Sequence, residues 1–354
     1  MFSLHSSLAS PRSWLLATVS VFVLGGTAVA AENKYDPGDN VKFTYCYSHP
    51  PVLRIKPGDT VVTSTRDASN DVYSTSDKTL FPKLDLTKVN PQTGPFYIEG
   101  AEPGDAIAVT FRKIAMNRNW GWSGYRLGLY SLAAGSIEGL YSNRYKDGAA
   151  FEGRANIVPW DLDLQNKTVR LREPASAVHK MQFPARPMLG CVGVAAAGDF
   201  GPSSGISGPY GGNMDYNEVV EGATVVLPVF HPGALLFMGD GHALQGDGEP
   251  TGTGIETSMD VEFSVQVRKR AGVANPRLEN AESIISIGAQ PEFVSPLDHA
   301  LQIATSDMAA WLVKDYGMEP WAAHLLIGYQ GKYDIITVAG SVGLRIKRSV
   351  LPVR

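Results

Sequence analysis

The sequence predicts a mainly β protein of the α+β kind, built from sandwich-like or barrel-like sheets with a few helices appended near the C-terminus. Short apolar runs separated by Pro-Gly and Gly-Asp turns occupy most of the chain. One long run alternates between apolar and polar residues, which is the period of a strand with one buried face. Clear helical spacing appears only near the C-terminus, so the helical share is expected to be small.

The first thirty residues have the features of a signal peptide. Arg12 supplies a basic n-region, residues 14–24 form an apolar run too short for a comfortable membrane span, and residues 28–30 form a small-residue cleavage site. An uncleaved anchor is the alternative. We therefore expect residues 1–30 to be a leader and the protein to be exported, periplasmic or secreted. Residues 31–354 then form one catalytic domain or two intimately packed β-rich halves.

Strands are indicated by turn chemistry and by alternation. Pro-Gly-Asp occurs at residues 57–59 and again at 103–105, and an alternating run follows each turn. The cleanest alternation covers residues 259–267. Its phase places Asp260 and Glu262 on the face opposite the core, so we expect these two acids to be solvated strand residues.

One long helix is predicted near the C-terminus. Ser295 can cap it, Pro296 suits its first turn, apolar residues recur at helical spacing up to Leu312, and Gly317 ends it. The shorter elements expected after this helix are a second helix that includes residues 319–326 and strands over residues 335–339 and 342–346.

Composition excludes several classes of protein. The formal net charge is −4 and 19% of the residues are charged, with no basic stripe of the kind that follows phosphates, so nucleic acid is not expected as a partner. Beyond the leader no apolar stretch approaches the length of a membrane helix, so no membrane association is expected. Cys46 and Cys191 permit one disulfide, but Cys191 lies in such an apolar run that a buried free thiol is the preferred interpretation.

Acidic and imidazole groups are concentrated in glycine-rich loops between residues 213 and 256. Carboxylates that are brought together repel each other, and burial makes each one harder to ionise. Such a group of residues therefore needs a bound metal ion, shared protons or a cationic substrate. The polar residues concerned are Asn213, Asp215, Asp240, His242, Gln245, Asp247, Glu249 and Glu256.

The donor types in this segment favour a divalent metal ion. His242 offers a neutral nitrogen and the aspartates offer hard oxygens, a mixture suited to Zn, Mn or Mg. We expect zinc, with calcium or manganese at a second site. The expected ligands are Asp215, Asp240, His242 and Asp247. For Asp240 and Asp247 an ordinary Asp-Gly turn is the alternative.

The remaining polar residues supply candidates for hydrolytic chemistry. A metal ion makes bound water a usable nucleophile near neutral pH, and a neighbouring carboxylate can take its proton and pass it to a departing nitrogen. Glu249 or Glu256 is expected in that role. Asn213 and Gln245 can donate hydrogen bonds to the developing oxyanion.

Several motifs of the chain resemble the acetamidase/formamidase family. They are Met188-Leu-Gly-Cys-Val-Gly-Val, Gly-Gly-Asn213-Met-Asp215, the glycine-rich run of residues 239–249, Gly-Thr-Gly-Ile-Glu256, and the stretch from Asn90-Pro-Gln-Thr-Gly to Asp105. The resemblance implies a hydrolase that cleaves the C–N bond of a small linear amide, such as formamide or acetamide, to a carboxylate and ammonia. It also implies a β-rich fold, a bound divalent metal and a homodimer or higher oligomer.

Some features depart from the family pattern and keep alternatives open. Gly254 stands where the family commonly has alanine, and the aromatic segment of residues 117–145 looks like an insertion. An exported, diverged member with a different substrate is one alternative. Another is an exported solute-binding protein that keeps a structural metal loop and stacks a ligand on Trp120, Trp122 and Tyr125. A serine amidase is a third, prompted by Ser203, Ser204 and Ser207, although no base is adjacent to them in sequence.

Overall fold

The computed structural model describes residues 1, 31–73, 85–124, 131, 133, 157–173, 175–176, 178–289 and 296–353. The chain divides into two units, Met1–Ala30 and Ala31–Arg354. The expected leader lies almost wholly outside the described residues, as do Tyr125 and Ser295, so export stays a prediction. No helix within the described ranges is long and apolar enough to cross a membrane.

The described part of the chain is mostly strand. Its helices are α1 (Leu297–Tyr316) and α2 (Pro320–Gln330), with short 3-10 turns at Leu86–Lys88 and Arg348–Val350. Its strands are β1 (Glu32–Lys34), β2 (Leu53–Ile55), β3 (Thr60–Ser64), β4 (Gln92–Ile98), β5 (Ala106–Met116), β6 (Trp120–Gly124), β7 (Ile157–Asp163), β8 (Thr168–Leu171), β9 (Gln182–Pro184), β10 (Met188–Val194), β11 (Ser207–Gly208), β12 (Gly211–Asn213), β13 (Thr224–Pro228), β14 (Leu236–His242), β15 (Glu256–Thr257), β16 (Met259–Arg268), β17 (Arg277–Glu279), β18 (Ser283–Gly288), β19 (Lys332–Thr337) and β20 (Ser341–Lys347).

These strands form two open sheets. The first has nine strands in the order β1-β3-β16-β5-β13-β17-β18-β20-β19, and the second has eleven, with β11-β12-β10-β14-β15-β6-β7-β8-β9 as its main path. In the second sheet one edge of β14 pairs with β10, while the other edge is shared between β4 and β15. The mainly β prediction is confirmed in its sandwich-like form. Neither sheet closes into a barrel within the described residues.

The main hydrophobic core lies between the two sheets. Phe111 and Phe263 of the first sheet and Phe96 and Phe237 of the second belong to one buried cluster. The aromatic rings of Phe96 and Phe263 meet edge to face, with centroids 5.3 Å apart. A second cluster packs α1 on β18 and β20 around Trp311. This arrangement makes β10 and β14 fully buried strands, so polar residues on them are taken out of water.

Several individual sequence predictions hold, although the strand expected over residues 335–339 runs over Lys332–Thr337 and Pro296 immediately precedes α1. In both Pro-Gly-Asp turns the aspartate carboxylate accepts the backbone N–H three residues earlier, at 3.1 Å for Asp59 and 3.0 Å for Asp105. The predicted alternating strand is β16, with Asp260 half-buried between buried apolar neighbours. Gly317 adopts a left-handed conformation with φ 66° and ends α1.

Candidate metal and catalytic site

Five titratable side chains converge on one side of β14. Asp240 and His242 come from β14 itself, Glu256 begins β15, and Asp215 and Glu249 come from loops. Single ligand atoms of Asp215, Asp240 and His242 lie within 4.8 Å of one another, and so do those of His242, Glu249 and Glu256. These five residues are called the acid cluster below. His242 belongs to both groups and links them.

Backbone geometry holds the acid cluster in place at a cost. Three of its members have left-handed backbone conformations, with φ 51° at Asp215, 60° at Asp240 and 45° at Glu249. Such conformations cost about 1–3 kcal/mol each for residues with a side chain, and they concentrate at functional sites. The strain is therefore consistent with a site selected for chemistry rather than for stability.

Gly190 on β10 provides the space in which two of the carboxylates meet. A Cβ atom at this position would lie 2.5 Å from Asp215 Oδ1 and 2.5 Å from Asp240 Oδ2. The backbone carbonyl of Gly190 also accepts the N–H of Asp215 at 3.0 Å. Only glycine leaves room for both carboxylate oxygens here. Gly254 plays a similar part for His242, because a Cβ atom there would lie 2.5 Å from the ring Nδ1.

The hydrogen bonds of Gln245 fix the orientation of the His242 ring. The backbone oxygen of Asp215 can only accept, so the Gln245 atom 2.6 Å from it is the amide Nε2. The other amide atom, Oε1, then faces His242 Nδ1 at 2.7 Å and requires a proton there. In neutral His242 the lone pair is therefore on Nε2, which faces Glu256 Oε1 at 3.1 Å and Asp240 Oδ1 at 3.5 Å.

The side-chain amides of Asn213 and Asn90 form a second set of hydrogen bonds, which orients the carboxylate of Asp215. Asn213 Nδ2 donates to Asp215 Oδ2 at 2.8 Å, so its Oδ1 faces the other way and accepts from the Cys191 thiol at 2.9 Å. Asn90 Nδ2 donates to the same Oδ1 at 2.9 Å and lies 3.5 Å from Asp240 Oδ2. Asn90 thus bridges two sides of the cluster. The amide donors of Asn213 and Gln245 are each committed in part to Asp215, and their expected role toward an oxyanion stays a prediction.

Charges within the acid cluster are poorly balanced. Burial raises the pKa of Asp215 well above its usual value, and Glu249 and Asp240 add to the effect. Burial also raises the pKa of Glu256, to about 8, against the lowering effect of His242. Burial alone would lower the pKa of His242, but Glu256 and Asp240 outweigh it and raise that pKa well above the usual value. One imidazole cannot neutralise this many carboxylates.

Unpaired atoms show where a cation fits. Four buried atoms of the acid cluster have no hydrogen-bond partner among the described residues: Asp215 Oδ1, Asp240 Oδ1, His242 Nε2 and Glu256 Oε2. No lysine or arginine within the described ranges is ion-paired with these residues. Buried polar atoms without partners are costly, and three oxygens with one imidazole nitrogen are ordinary ligands of zinc or manganese. The residues therefore fit a divalent metal ion.

The structure does not bring every expected residue into the acid cluster. Asp247 is exposed, and its Oδ1 accepts from Asn217 Nδ2 at 2.8 Å, so it belongs to neither of the two groups. The serine alternative gains no geometric support. Ser204 Oγ donates to the backbone oxygen of Val89 at 2.9 Å, and Ser203 Oγ accepts the N–H of Gly205 at 3.2 Å.

Asn90, Gly190 and the thiol of Cys191 were not singled out for the site from the sequence. Asn90 precedes Asn213 by 123 residues, so no spacing rule connects them. The sequence offered only a local signal, the Asn90-Pro pair; the structure gives Asn90 φ 50°, a left-handed conformation that asparagine tolerates better than most residues. Cys46 and Cys191 are both free, and Cys191 is buried as expected.

Comparison with known proteins places this geometry in a family. The model of the Acetamidase/Formamidase family matches residues 38–203 and 207–306. An acetamidase from Yersinia enterocolitica has a TM-score of 0.76 and 29% identity, covering 93% of this chain and 96% of that one. An acetamidase from Bacillus halodurans has a TM-score of 0.72 and 25% identity, covering 90% and 97%.

Curated relatives agree over a shorter stretch. A formamidase from Methylophilus methylotrophus is 26% identical over 265 residues, which are 64% of this chain and 65% of the relative. The chain spans about half to two thirds of the length of the curated relatives it matches. The motifs that suggested the resemblance lie within the matched residues and include the whole acid cluster. The chain therefore belongs to the acetamidase/formamidase family.

Proposed function

We propose that this protein is a metal-dependent amidase that hydrolyses the C–N bond of a small linear amide to a carboxylate and ammonia. The observation that carries the proposal is the set of four buried, unpaired ligand atoms in the acid cluster. The family supports the reaction, since its relatives include proteins named formamidase and acetamidase. Zinc is the metal that the mixed nitrogen and oxygen ligands favour, with manganese or calcium as alternatives.

Asp215, Asp240 and His242 would hold the metal ion, and a bound ion would supply a nucleophile near neutral pH and polarise the amide carbonyl. Gln245 keeps His242 in the tautomer that leaves Nε2 available, and it also holds the backbone of Asp215. Asn213 orients the carboxylate of Asp215. Each carboxamide has a second N–H, which can donate to the oxyanion that develops during amide attack.

We expect Glu249 or Glu256 to take the proton of the attacking water, because these are the two carboxylates grouped with His242. Glu256 is buried and faces the imidazole, whereas Glu249 is half-buried on a loop. If the replaced glutamate is the base, the glutamine variant should retain metal binding and lose turnover by a factor of about 10² or more. If the replaced glutamate is a metal ligand, the variant should lose both metal binding and turnover. Measuring metal content and turnover of Glu249→Gln and Glu256→Gln separates these roles.

The central experiment measures ammonia release from formamide, acetamide and propionamide by protein that has been chelated, analysed for metals, and reloaded with Zn²⁺, Mn²⁺ or Ca²⁺. We expect no activity without metal and restored activity with at least one ion. Asp240→Asn should abolish metal binding, and Asp247→Asn is the matched control because Asp247 is exposed and outside the acid cluster. Full activity of demonstrably metal-free protein would refute the metal requirement.

The same assay decides the remaining alternatives. Saturable binding of amides without turnover, in metal-loaded protein, would favour a solute-binding protein. A homodimer is expected from the family, and light scattering of the purified protein measures the assembly directly. Inactivation by a serine-reactive phosphonate, with no effect of chelator, would support the serine amidase instead.

A further inference from the structure

An apolar wall stands beside the acid cluster. It consists of Ala68, Tyr73 and Trp122, which form one buried cluster with exposed fractions of 8%, 3% and 6%. The rings of Tyr73 and Trp122 meet edge to face, with centroids 4.8 Å apart. None of the three takes part in the metal-ligand groups. These residues are called the aromatic wall below.

Two contacts place the aromatic wall against the acid cluster. Trp122 of β6 is the direct cross-strand partner of Glu256 of β15. Side chains of directly paired residues leave the same face of a sheet, with Cβ atoms about 5 Å apart. Glu256 is in turn paired with His242 of β14, so Trp122, Glu256 and His242 share that face.

The second contact comes from the other side. The backbone oxygen of Ala68 accepts the N–H of Asn90 at 2.8 Å, and Asn90 Nδ2 lies 3.5 Å from Asp240 Oδ2. The wall therefore lies beside Glu256 through Trp122, and Asn90 links Ala68 to Asp240.

Trp122 carries a buried polar atom that the protein leaves unused. Its indole Nε1 is buried and has no hydrogen-bond partner in the part of the chain that the structure describes. Elsewhere the chain satisfies such a group: Trp160 on the neighbouring strand β7, with 7% of its surface exposed, donates its indole N–H to Ser123 Oγ at 3.0 Å. Because a buried indole N–H normally finds an acceptor, the unpaired one marks a place where a ligand atom can accept.

We propose that Trp122 is a substrate-binding residue of the amidase, whose indole N–H donates to the carbonyl oxygen of the amide while the aromatic wall receives its alkyl chain. The inference rests on the proposed function. An indole N–H can only donate, and the carbonyl oxygen is the only good acceptor of a small linear amide. The substrate class is that of the proposed function, and each added methylene packed on the wall should raise kcat/KM roughly fourfold.

The first test is kinetic. Trp122→Phe keeps an aromatic ring and removes the N–H, so KM for acetamide and propionamide should rise about tenfold or more, with kcat changed less. Trp160→Phe is the matched control, since that tryptophan is equally buried and its N–H is already satisfied. Equal KM values for both variants and the wild type would overturn the proposal.

A second measurement does not depend on folding of the variant. In metal-loaded wild-type protein labelled with 15N-tryptophan, titration with acetate, the product, should move the Trp122 indole N–H resonance saturably, while that of Trp160 stays in place. No movement of the Trp122 resonance under saturating acetate would overturn the proposal. Absence of ammonia release from any amide by the wild type would instead refute the amidase function, and the acetate titration would still decide whether Trp122 binds a carbonyl oxygen.

Discussion

Replacing Gly190 by alanine tests the geometry of the acid cluster most directly. The new Cβ atom would lie 2.5 Å from one oxygen each of Asp215 and Asp240, whereas ordinary contacts begin at 3.4 Å. Both oxygens must therefore retreat by about 0.9 Å from their positions. Gly190 does not have a positive φ, so alanine is acceptable to the backbone itself. The substitution is expected to act on the two carboxylates rather than on the strand.

A misplacement of about 1 Å at a reacting centre can cost about 10² in rate, so kcat/KM of Gly190→Ala should fall by about that factor. Affinity for the metal ion should fall with it, and overpacking should lower the free energy of unfolding by about 1–3 kcal/mol. Ammonia release, calorimetric titration with Zn²⁺ and urea unfolding measure the three effects.

The control for this experiment is Gly246→Ala. Gly246 lies in the loop between His242 and Glu249, and a Cβ atom there would meet nothing within 4 Å. It should leave metal affinity and activity unchanged. The contrary result would be a folded Gly190→Ala variant whose affinity for Zn²⁺ and whose kcat/KM both lie within twofold of the wild type. The carboxylates of Asp215 and Asp240 would then not meet over Gly190 as described.

Three further predictions concern polar contacts. Asn90→Ala removes the donor between Asn213 and Asp240 and should weaken metal binding about 10- to 100-fold, as measured by calorimetry. Arg277→Leu leaves Asp307 buried without its two hydrogen bonds, of 2.7 and 3.0 Å, and should lower the free energy of unfolding by about 3–5 kcal/mol; Arg277→Leu/Asp307→Leu should recover much of this in urea titrations. Burial favours a higher pKa for Glu279, but Arg268 and Arg348 outweigh it and lower the pKa. The ion-paired carboxylate of Glu279 therefore stabilises the folded state at pH values above the pKa that Glu279 has in the unfolded chain. This stabilisation is lost as the pH falls through the lowered pKa of Glu279 in the folded state. The difference in free energy of unfolding between wild type and Glu279→Gln should therefore narrow between about pH 7 and about pH 3. Unchanged metal affinity, an unfolding loss below about 1 kcal/mol, or a pH-independent difference would contradict the three in turn.

Much of the fold follows from local sequence rules. The alternation of residues 259–267 places β16 and its buried face, because side chains of a strand alternate strictly between faces. Gly317 marks the end of α1 because glycine adopts the left-handed conformation there without a Cβ penalty. The choice between a sandwich and a barrel depends on which strands pair at the sheet edges, and those pairings join residues far apart in the chain.

The site was predictable in part. His242 and its acidic neighbours stand out because ionisable groups in glycine-rich loops are unusual, and Asp215, Asp240, His242, Glu249 and Glu256 do converge. Asp247 has the same local sequence as Asp240, an aspartate before glycine, yet it lies on the exposed side of its loop. The two aspartates differ in the direction of the side chain, which local sequence does not specify.

By itself the sequence determined which kinds of group are present: a β-rich scaffold, carboxylates that need a cation or shared protons to lie together, and glycines that leave room for them. Tertiary structure decided which of these groups meet. Asn90, Trp122 and Gly190 reach the acid cluster only because strand pairing brings distant segments onto one face of the second sheet. Periodicity and turn chemistry act over a few residues, whereas strand pairing is set by burial of the whole sheet. The residues of a site that lies between strands are therefore brought together by the burial of the whole sheet.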